Sequence, residues 1–218
     1  MRVFHFLNKS HALDDIRKRR LKVSILNDLN DPFEFLFVVQ SDPQLRASFQ
    51  RFKDSFSEKY GLICFSLKWA NPVLWSHYAA RHTGICLGFD IPDDRGMRVR
   101  YRQARSPDTF YADLDDNTKM MDAFRQILST KFSHWRYENE VRTYAKLENI
   151  DADTGFYFTE FSADMKLRQI VVGPLADASH SEISDSLCAE DSDVEVFKTR
   201  LAFRSFKVVR NKNDSLWK

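Results

Sequence analysis

The clearest hydrophobic pattern lies in the stretch 71–90, where a segment of helical period runs directly into an apolar one. Asn71 is a favoured N-cap residue, Pro72 suits the first helical position, and Gly84 can end a helix in the left-handed conformation. These signals predict a helix of about three turns over 71–84. The run 85–89 carries no polar side chain, which predicts a strand buried on both faces.

The same periodicities predict elements along the rest of the chain. Alternation predicts a strand at 3–7, and helical spacing predicts helices from Ser10 onward, over 44–60 and over 118–135. Further strands are predicted at 62–66, 98–102, 138–144, 156–161, 167–172, 194–197 and 201–209, with a helix near 178–187. This mixture favours an α+β fold with a mixed, largely antiparallel, split β core flanked by helices. No repeat or low-complexity linker interrupts it, so a single domain over 1–218 is predicted.

Composition narrows the class of protein. Of 218 residues, 43% are hydrophobic and 14% aromatic, which is enough apolar area for a packed interior. No apolar run approaches the roughly 20 residues that cross a bilayer, and no signal segment opens the chain, which predicts a cytoplasmic protein without a membrane partner. The net charge of +2 is too small to imply nucleic-acid binding. Cys64, Cys86 and Cys188 lack pairing or metal-ligand spacing, so buried, reduced thiols are predicted.

Candidate chemistry concentrates in the segment Trp-Arg-Tyr-Glu-Asn-Glu-Val-Arg at 135–142. If a strand begins at Glu138, alternation places Glu138, Glu140 and Arg142 on one side of it. Arg142 would then keep the Glu140 carboxylate ionised at neutral pH, provided that the two side chains meet. A half-buried ladder of ion pairs explains the same pattern, and both interpretations stay open.

Several kinds of site are excluded by spacing. His77 and His82 stand five residues apart, unlike the i, i+4 pair of helical zinc proteases. The six glycines form no phosphate-binding loop, and no Gly-x-Ser-x-Gly elbow occurs. The acidic turn with Asp28, Asp31 and Glu34 offers hard oxygen ligands, but turn formation and capping also explain it, so no metal is predicted.

Three blocks together resemble a bacterial family known only as a domain of unknown function. They are Asn-Asp-Pro-Phe-Glu at 30–34, Trp-Ser-His-Tyr-Ala at 75–79 followed by His-x-Gly-Ile-Cys-Leu-Gly-Phe at 82–89, and Trp-x-Tyr-Glu-x-Glu-x-Arg at 135–142. The order and spacing cover most of the chain. This resemblance supplies a family without supplying a chemistry.

The opening of the chain, a strand with His5 followed by a helix, is more distantly similar to DNA-targeting ADP-ribosyltransferases. That resemblance implies nicotinamide adenine dinucleotide (NAD) as a substrate, with a nucleic-acid or protein acceptor. It implies a catalytic role for Glu140, with Glu138 beside it, and a ribose-binding role for His5. The residues implied to bind NAD are His5, Trp75, Tyr78, His82 and Arg142.

A second hypothesis gives the same residues a structural role. Aromatic stripes at helical spacing usually face the core, and a histidine among apolar neighbours is commonly a hydrogen-bonded core residue. The protein is then a non-catalytic nucleotide-binding or regulatory module of a bacterial phage-defence or toxin system, with a small nucleotide-like ligand.

Overall fold

The computed structural model describes residues 1–107, 117–213 and 217, and within these residues the chain has the predicted α+β architecture. Its α-helices are α1 Lys9–Lys18, α2 Pro43–Ser57, α3 Pro72–Tyr78, α4 Asn117–Leu128 and α5 His180–Ser184. The strands are β1 Arg2–Leu7, β2 Arg20–Val23, β3 Tyr60–Ser66, β4 Ile85–Asp90, β5 Met97–Arg98, β6 Arg100–Arg102, β7 Thr130–Phe132, β8 Glu140–Lys146, β9 Tyr157–Glu160, β10 Lys166–Val172, β11 Glu195–Leu201 and β12 Val208–Arg210. Pairing is mixed and mostly antiparallel, which confirms the predicted fold class.

The chain divides into two compact units. Unit 1 comprises Met1–Lys22, Cys64–Gly96 and Phe158–Lys218, and unit 2 comprises Val23–Ile63 and Met97–Tyr157. The boundaries fall inside β2, β3 and β9, so each of these strands contributes residues to both units. The single domain predicted over 1–218 stays a prediction beside this division.

Unit 1 is built on strands in the order β12-β11-β10-β4-β1, followed by the last residues of β3. Neighbouring strands are antiparallel except β10 and β11, which run parallel. The inner strand β4 is enclosed over 85–89, since Ile85, Cys86, Leu87 and Phe89 have no exposed surface. The absence of polar side chains at 85–89 therefore predicted this strand correctly.

Unit 2 contains the first residues of β3 together with β8 and β5, and a separate parallel pair of β6 and β7. Aromatic rings join its helices to its strands. Phe124 of α4 lies 5.3 Å from Phe52 and 5.7 Å from Phe56 of α2, measured between ring centroids. Phe56 also contacts Tyr144 of β8 edge to face at 5.9 Å. These contacts follow from the apolar face that the helical spacing at 44–60 predicted.

Helix α3 is shorter than predicted, because it ends at Tyr78 and not at Gly84. Ala80, Arg81 and His82 form a left-handed turn, with φ angles of 46°, 55° and 73°. Tertiary hydrogen bonds hold this turn: the Leu175 amide donates to the His82 carbonyl at 3.1 Å. His82 therefore lies outside α3, and the prediction of a helix that continues to residue 84 was wrong.

The helix predicted over 118–135 is also interrupted. α4 ends at Leu128, β7 follows, and a 3-10 turn spans Ser133–Glu138. The apolar spacing predicted that residues 130–132 are helical, but they form β7, which pairs with β6. Phe132 is exposed. Asn139 adopts a left-handed conformation, so β8 begins at Glu140 and Glu138 lies outside the strand.

Other boundaries differ as well. The strand predicted at 98–102 is divided between β5 and β6, and that predicted at 201–209 is divided between β11 and β12. The helix near 178–187 is reduced to α5. Cys86 is buried as predicted, but Cys188 is exposed, because it precedes a short 3-10 turn at Ala189–Asp191 and not a helix interior. No helix within 1–107, 117–213 and 217 is both long enough and apolar enough to span a bilayer.

We expect Gly84→Ala to destabilise the protein by about 3 kcal/mol or more, because the added methyl group would meet backbone. Its Cβ would lie 2.0 Å from the Leu7 carbonyl oxygen and 2.9 Å from Ala79. Chemical denaturation measures the change. Gly155→Ala is the matched control: its Cβ has open space, so only the left-handed φ of 71° should cost about 1 to 2 kcal/mol. Equal losses in the two variants would contradict the steric explanation.

A second prediction concerns Asp15 of α1, which is buried. Burial raises the pKa of Asp15 from 3.8 to about 7, with a smaller increase from Asp14 and opposing effects of Arg20 and Lys18. Between these values the native state holds a proton that the unfolded chain has lost, so stability should fall as pH rises from 4 to 7. The loss approaches about 1.4 kcal/mol per pH unit.

Asp15→Asn should remove this part of the pH dependence. Urea unfolding at pH 5 and pH 8 measures it in both proteins. The free energy of unfolding of the variant minus that of wild type should be larger at pH 8 than at pH 5. A difference between the two proteins that does not change with pH would contradict the raised pKa.

Candidate functional site

The most unusual feature of unit 2 is a group of charged side chains in its interior. No member is more than 7% exposed. We call this group the charge cluster: Glu34, Lys131, Glu138, Glu140 and Arg142. A charged group in a protein interior must be paired and hydrogen-bonded, so the geometry of this cluster decides what it can do.

Each member is positioned by its local backbone. Glu34 is the last residue of a tight turn in which the Asp31 carboxylate accepts from the Phe33 amide at 2.9 Å and the Asp31 carbonyl accepts from the Glu34 amide at 3.0 Å. Lys131 is the middle residue of β7, and Glu138 is the last residue of the 3-10 turn. The remaining two, Glu140 and Arg142, stand two apart on β8 and so project from the same side of it.

Arg142 is the most enclosed member, with no exposed surface. Its Nη2 donates to both carboxylate oxygens of Glu34, at 2.8 and 2.9 Å, and its Nε donates to Glu140 at 2.7 Å. Its Nη1 donates to the Leu128 carbonyl at 3.0 Å. Every nitrogen of the guanidinium therefore has an acceptor, which is the condition for burying this group.

Lys131 is the second cation, and it contacts all three carboxylates. Its Nζ lies 2.7 Å from Glu138, 3.1 Å from Glu34 and 3.2 Å from Glu140, and 4.8 Å from the centre of the Trp135 ring. Burial acts to lower the pKa of Lys131, but the nearby carboxylates of Glu140, Glu34 and Glu138 outweigh it and raise the pKa well above its ordinary value. Lys131 is therefore charged at physiological pH.

Two tyrosines support the backbone around the cluster. The Glu140 amide donates to the Tyr101 hydroxyl oxygen at 2.8 Å, and the Tyr144 hydroxyl donates to the Leu128 carbonyl at 2.9 Å. Burial raises the pKa of Tyr101, an increase that its bond to the Glu140 amide reduces and the charges of Glu140 and Glu138 add to. Tyr101 is thus a neutral phenol whose oxygen fixes the start of β8.

The arrangement limits the chemistry that the carboxylates can perform. Glu140 and Arg142 meet, as the catalytic hypothesis requires, but both oxygens of Glu140 are occupied, one by Arg142 and the other by Lys131 and Arg142. Glu140 is only 4% exposed. A substrate could reach this carboxylate only by displacing one of these cations.

The other predicted site residues belong to unit 1. His5 lies on β1 and its Nδ1 donates to the Cys64 carbonyl at 2.9 Å, which fixes the tautomer because a carbonyl only accepts. Burial lowers the pKa of His5, and the bond to Cys64 partly offsets this. Its ring contacts Phe65 edge to face. His5 is therefore a neutral histidine packed in the sheet.

Trp75 has no exposed surface, and its indole nitrogen donates to the Trp69 carbonyl. Its ring packs edge to face on Phe6 at 5.2 Å. Such a residue is part of the core of unit 1. Stacking on a ligand would require it to leave that core.

Tyr78 and His82 are both partly exposed. Tyr78 is the last residue of α3, and His82 lies in the left-handed turn. Burial lowers the pKa of His82, and its Nδ1 is buried without a hydrogen-bond partner in the part of the chain that the structure describes. The roles in NAD binding expected for His5, Trp75, Tyr78, His82 and Arg142 stay predictions, as do the catalytic roles of Glu138, Glu140 and His5.

Sequence reasoning missed Lys131 altogether, and it considered Glu34 as a turn residue or an oxygen ligand but not as a partner of Arg142. The signal for Lys131 was weak, because a single lysine in an amphipathic segment is usually on its exposed face. As to metals, no group of three or more His, Cys, Asp or Glu residues among the described ones has an arrangement that could hold an ion. The carboxylates of the charge cluster already face two cations.

The chain is therefore an α+β protein in which unit 2 contains a network of buried ion pairs. Comparison with known families adds one finding. Residues 74–143 match the model of a family described as "Protein of unknown function (DUF2971)". This segment holds the second and third blocks that the sequence analysis singled out. No curated protein and no solved structure matches the chain.

We expect Lys131→Met to destabilise unit 2 strongly, by about 3 to 5 kcal/mol, because three buried carboxylates would face a single guanidinium. Lys146→Met is the matched control, since Lys146 forms an exposed pair with Glu148 at 3.7 Å and its loss should change stability by less than about 1 kcal/mol. Urea unfolding measures both. A Lys131→Met protein as stable as the control would show that the cluster does not hold the unit together.

Proposed function

We propose that the protein is a non-catalytic binding or regulatory module whose ligand is a small nucleotide-like molecule. In this proposal the charged blocks of the sequence serve the fold of unit 2. The observation that carries it is the occupation of Glu140, whose two oxygens are taken by Arg142 and Lys131 in a buried setting. A carboxylate held in this way stabilises the structure around it and has no free oxygen to offer a substrate.

The ligand class is supported by the start of the chain. β1 with His5 leads directly into α1, the order expected from the resemblance to proteins that bind NAD. Within α1, Leu13 and Ile16 are buried, as expected of the apolar face of an amphipathic helix. These features support a nucleotide ligand bound by unit 1. They do not depend on a catalytic role for any residue of unit 2.

One observation favours a second candidate, NAD-dependent ADP-ribosyl transfer. The Arg142 Nε lies 2.7 Å from Glu140, the contact that would keep a catalytic carboxylate charged. In that reaction the bond between ribose C1′ and the nicotinamide nitrogen breaks, and its electron pair leaves with nicotinamide. An acceptor nucleophile then bonds to C1′ and gives up a proton, while an ionised carboxylate stabilises the cationic transition state.

Thermal unfolding with NAD, ADP-ribose and ATP, combined with an assay for nicotinamide release, separates the candidates. A binding module should be stabilised by at least one nucleotide, by about 2.7 kcal/mol at 100 times its dissociation constant, and should release no nicotinamide. Stabilisation by none of the three at millimolar concentration would contradict a nucleotide ligand.

Glu140→Gln gives the decisive comparison between the two candidates. If the carboxylate is structural, the variant should melt well below wild type because two cations lose part of their counter-charge. The enzyme candidate instead requires measurable nicotinamide release by wild type, and its loss in a Glu140→Gln protein that melts near wild type. That second outcome would replace the proposal.

A further inference from the structure

The hairpin between β11 and β12 in unit 1 is exposed at its tip in a way that the fold does not explain. Leu201, the last residue of β11, pairs with Val208, the first residue of β12, and the Ala202 amide donates to the Lys207 carbonyl at 3.0 Å. This leaves a four-residue tip, Phe-Arg-Ser-Phe at 203–206. Phe203 is 88% exposed and Phe206 is 98% exposed. Two rings that face water almost completely are costly to solubility and point to a partner.

The charge around this tip is of one sign. Residues 196–213 contain six cations and no acidic side chain. Lys198 donates to the Ala176 carbonyl and Arg210 pairs with Glu195, so these two have partners within unit 1. The other four cations form no ion pair within the described residues: Arg200, Arg204, Lys207 and Lys212. The hairpin is thus a local positive surface on a chain of net charge +2, and its partner should be anionic.

The rings and the cations are interleaved along the hairpin. The Arg200 guanidinium lies over the Phe203 ring, with its central carbon 4.4 Å from the ring centre, so this ring already contacts a cation. Arg204 stands between the two phenylalanines in sequence, and Lys207 follows the second one. Alternation of flat rings with Arg and Lys is the arrangement that binds unpaired bases by stacking and their phosphates by charge.

We propose that the tip of the β11–β12 hairpin binds single-stranded nucleic acid, with bases stacked on Phe203 and Phe206 and phosphates held by the four cations. An anionic membrane surface is the competing partner, but insertion of both rings would carry the Arg204 guanidinium between them into the apolar layer, where a charge is expensive. This inference does not rest on the proposed function, because no residue of the charge cluster and no nucleotide-site residue takes part.

Fluorescence anisotropy with labelled 20-nucleotide oligo(dT) and oligo(U) tests the proposal on the full chain. Binding at about 50 mM NaCl should weaken roughly 20- to 50-fold at about 200 mM, as expected when three or four phosphate contacts are lost to salt. The double variant Phe203→Ala/Phe206→Ala should bind at least about tenfold more weakly at equal salt, with an unchanged melting temperature because both rings are exposed. Arg204→Gln/Lys207→Gln should reduce the salt dependence as well as the affinity.

Phe33→Ala is the matched control, because Phe33 of unit 2 is also exposed and also has a guanidinium over its ring, that of Arg105 at 5.3 Å. It should leave oligonucleotide binding unchanged. Equal weakening by Phe33→Ala, or no binding to either oligonucleotide, would overturn the proposal. Equal affinity for a duplex of the same length would refute base stacking, and binding only to vesicles with about 30% phosphatidylserine would assign the tip to a membrane surface instead.

Discussion

Unit 2 depends on the enclosure of one guanidinium. Arg142 is removed from water completely, so its donors must be met by acceptors that the chain itself supplies. They come from Glu34, which lies in a turn 108 residues earlier in the sequence, from the Leu128 carbonyl at the end of α4, and from Glu140 on the same strand. Each of these segments is therefore fixed by the same group. Unlike an apolar contact, which tolerates small shifts, this arrangement requires all its partners at once.

How far the sequence predicts such a structure depends on the kind of interaction. Apolar runs and alternation located β4 and β10 and the class of fold, because burial leaves a periodic trace. The spacing of Glu140 and Arg142 also placed them on one side of a strand. Arg142 and Glu34, which form an ion pair, are 108 residues apart in the sequence. Lys131 lies on β7, within a segment whose amphipathic pattern predicted a helix. Contacts between charged residues on distant segments leave no periodic pattern in the sequence. Neither the Arg142–Glu34 pair nor the participation of Lys131 could therefore be predicted.

The left-handed turn after α3 shows a different limit. Asn71, Pro72 and Gly84 are good local signals, and the first two do open the helix. Its end is decided elsewhere, because the His82 carbonyl accepts from Leu175, which is 93 residues later in the chain. Three consecutive non-glycine residues accept unfavourable φ angles there, and such angles persist only where surrounding structure enforces them. Local sequence preferences indicate several residues at which a helix could end. Tertiary hydrogen bonds determine which of these residues is the actual end.

The path of the chain has a practical consequence for anyone who expresses pieces of it. The matched segment, 74–143, starts in unit 1 and finishes in unit 2, and it stops short of β10 while beginning after Glu34. A fragment cut at those limits would carry Arg142 without one of its carboxylates and β4 without either neighbouring strand. The limits of the segment that matches the family therefore differ from the limits of the compact units. Truncations of this protein should be placed according to the units and not according to the family match.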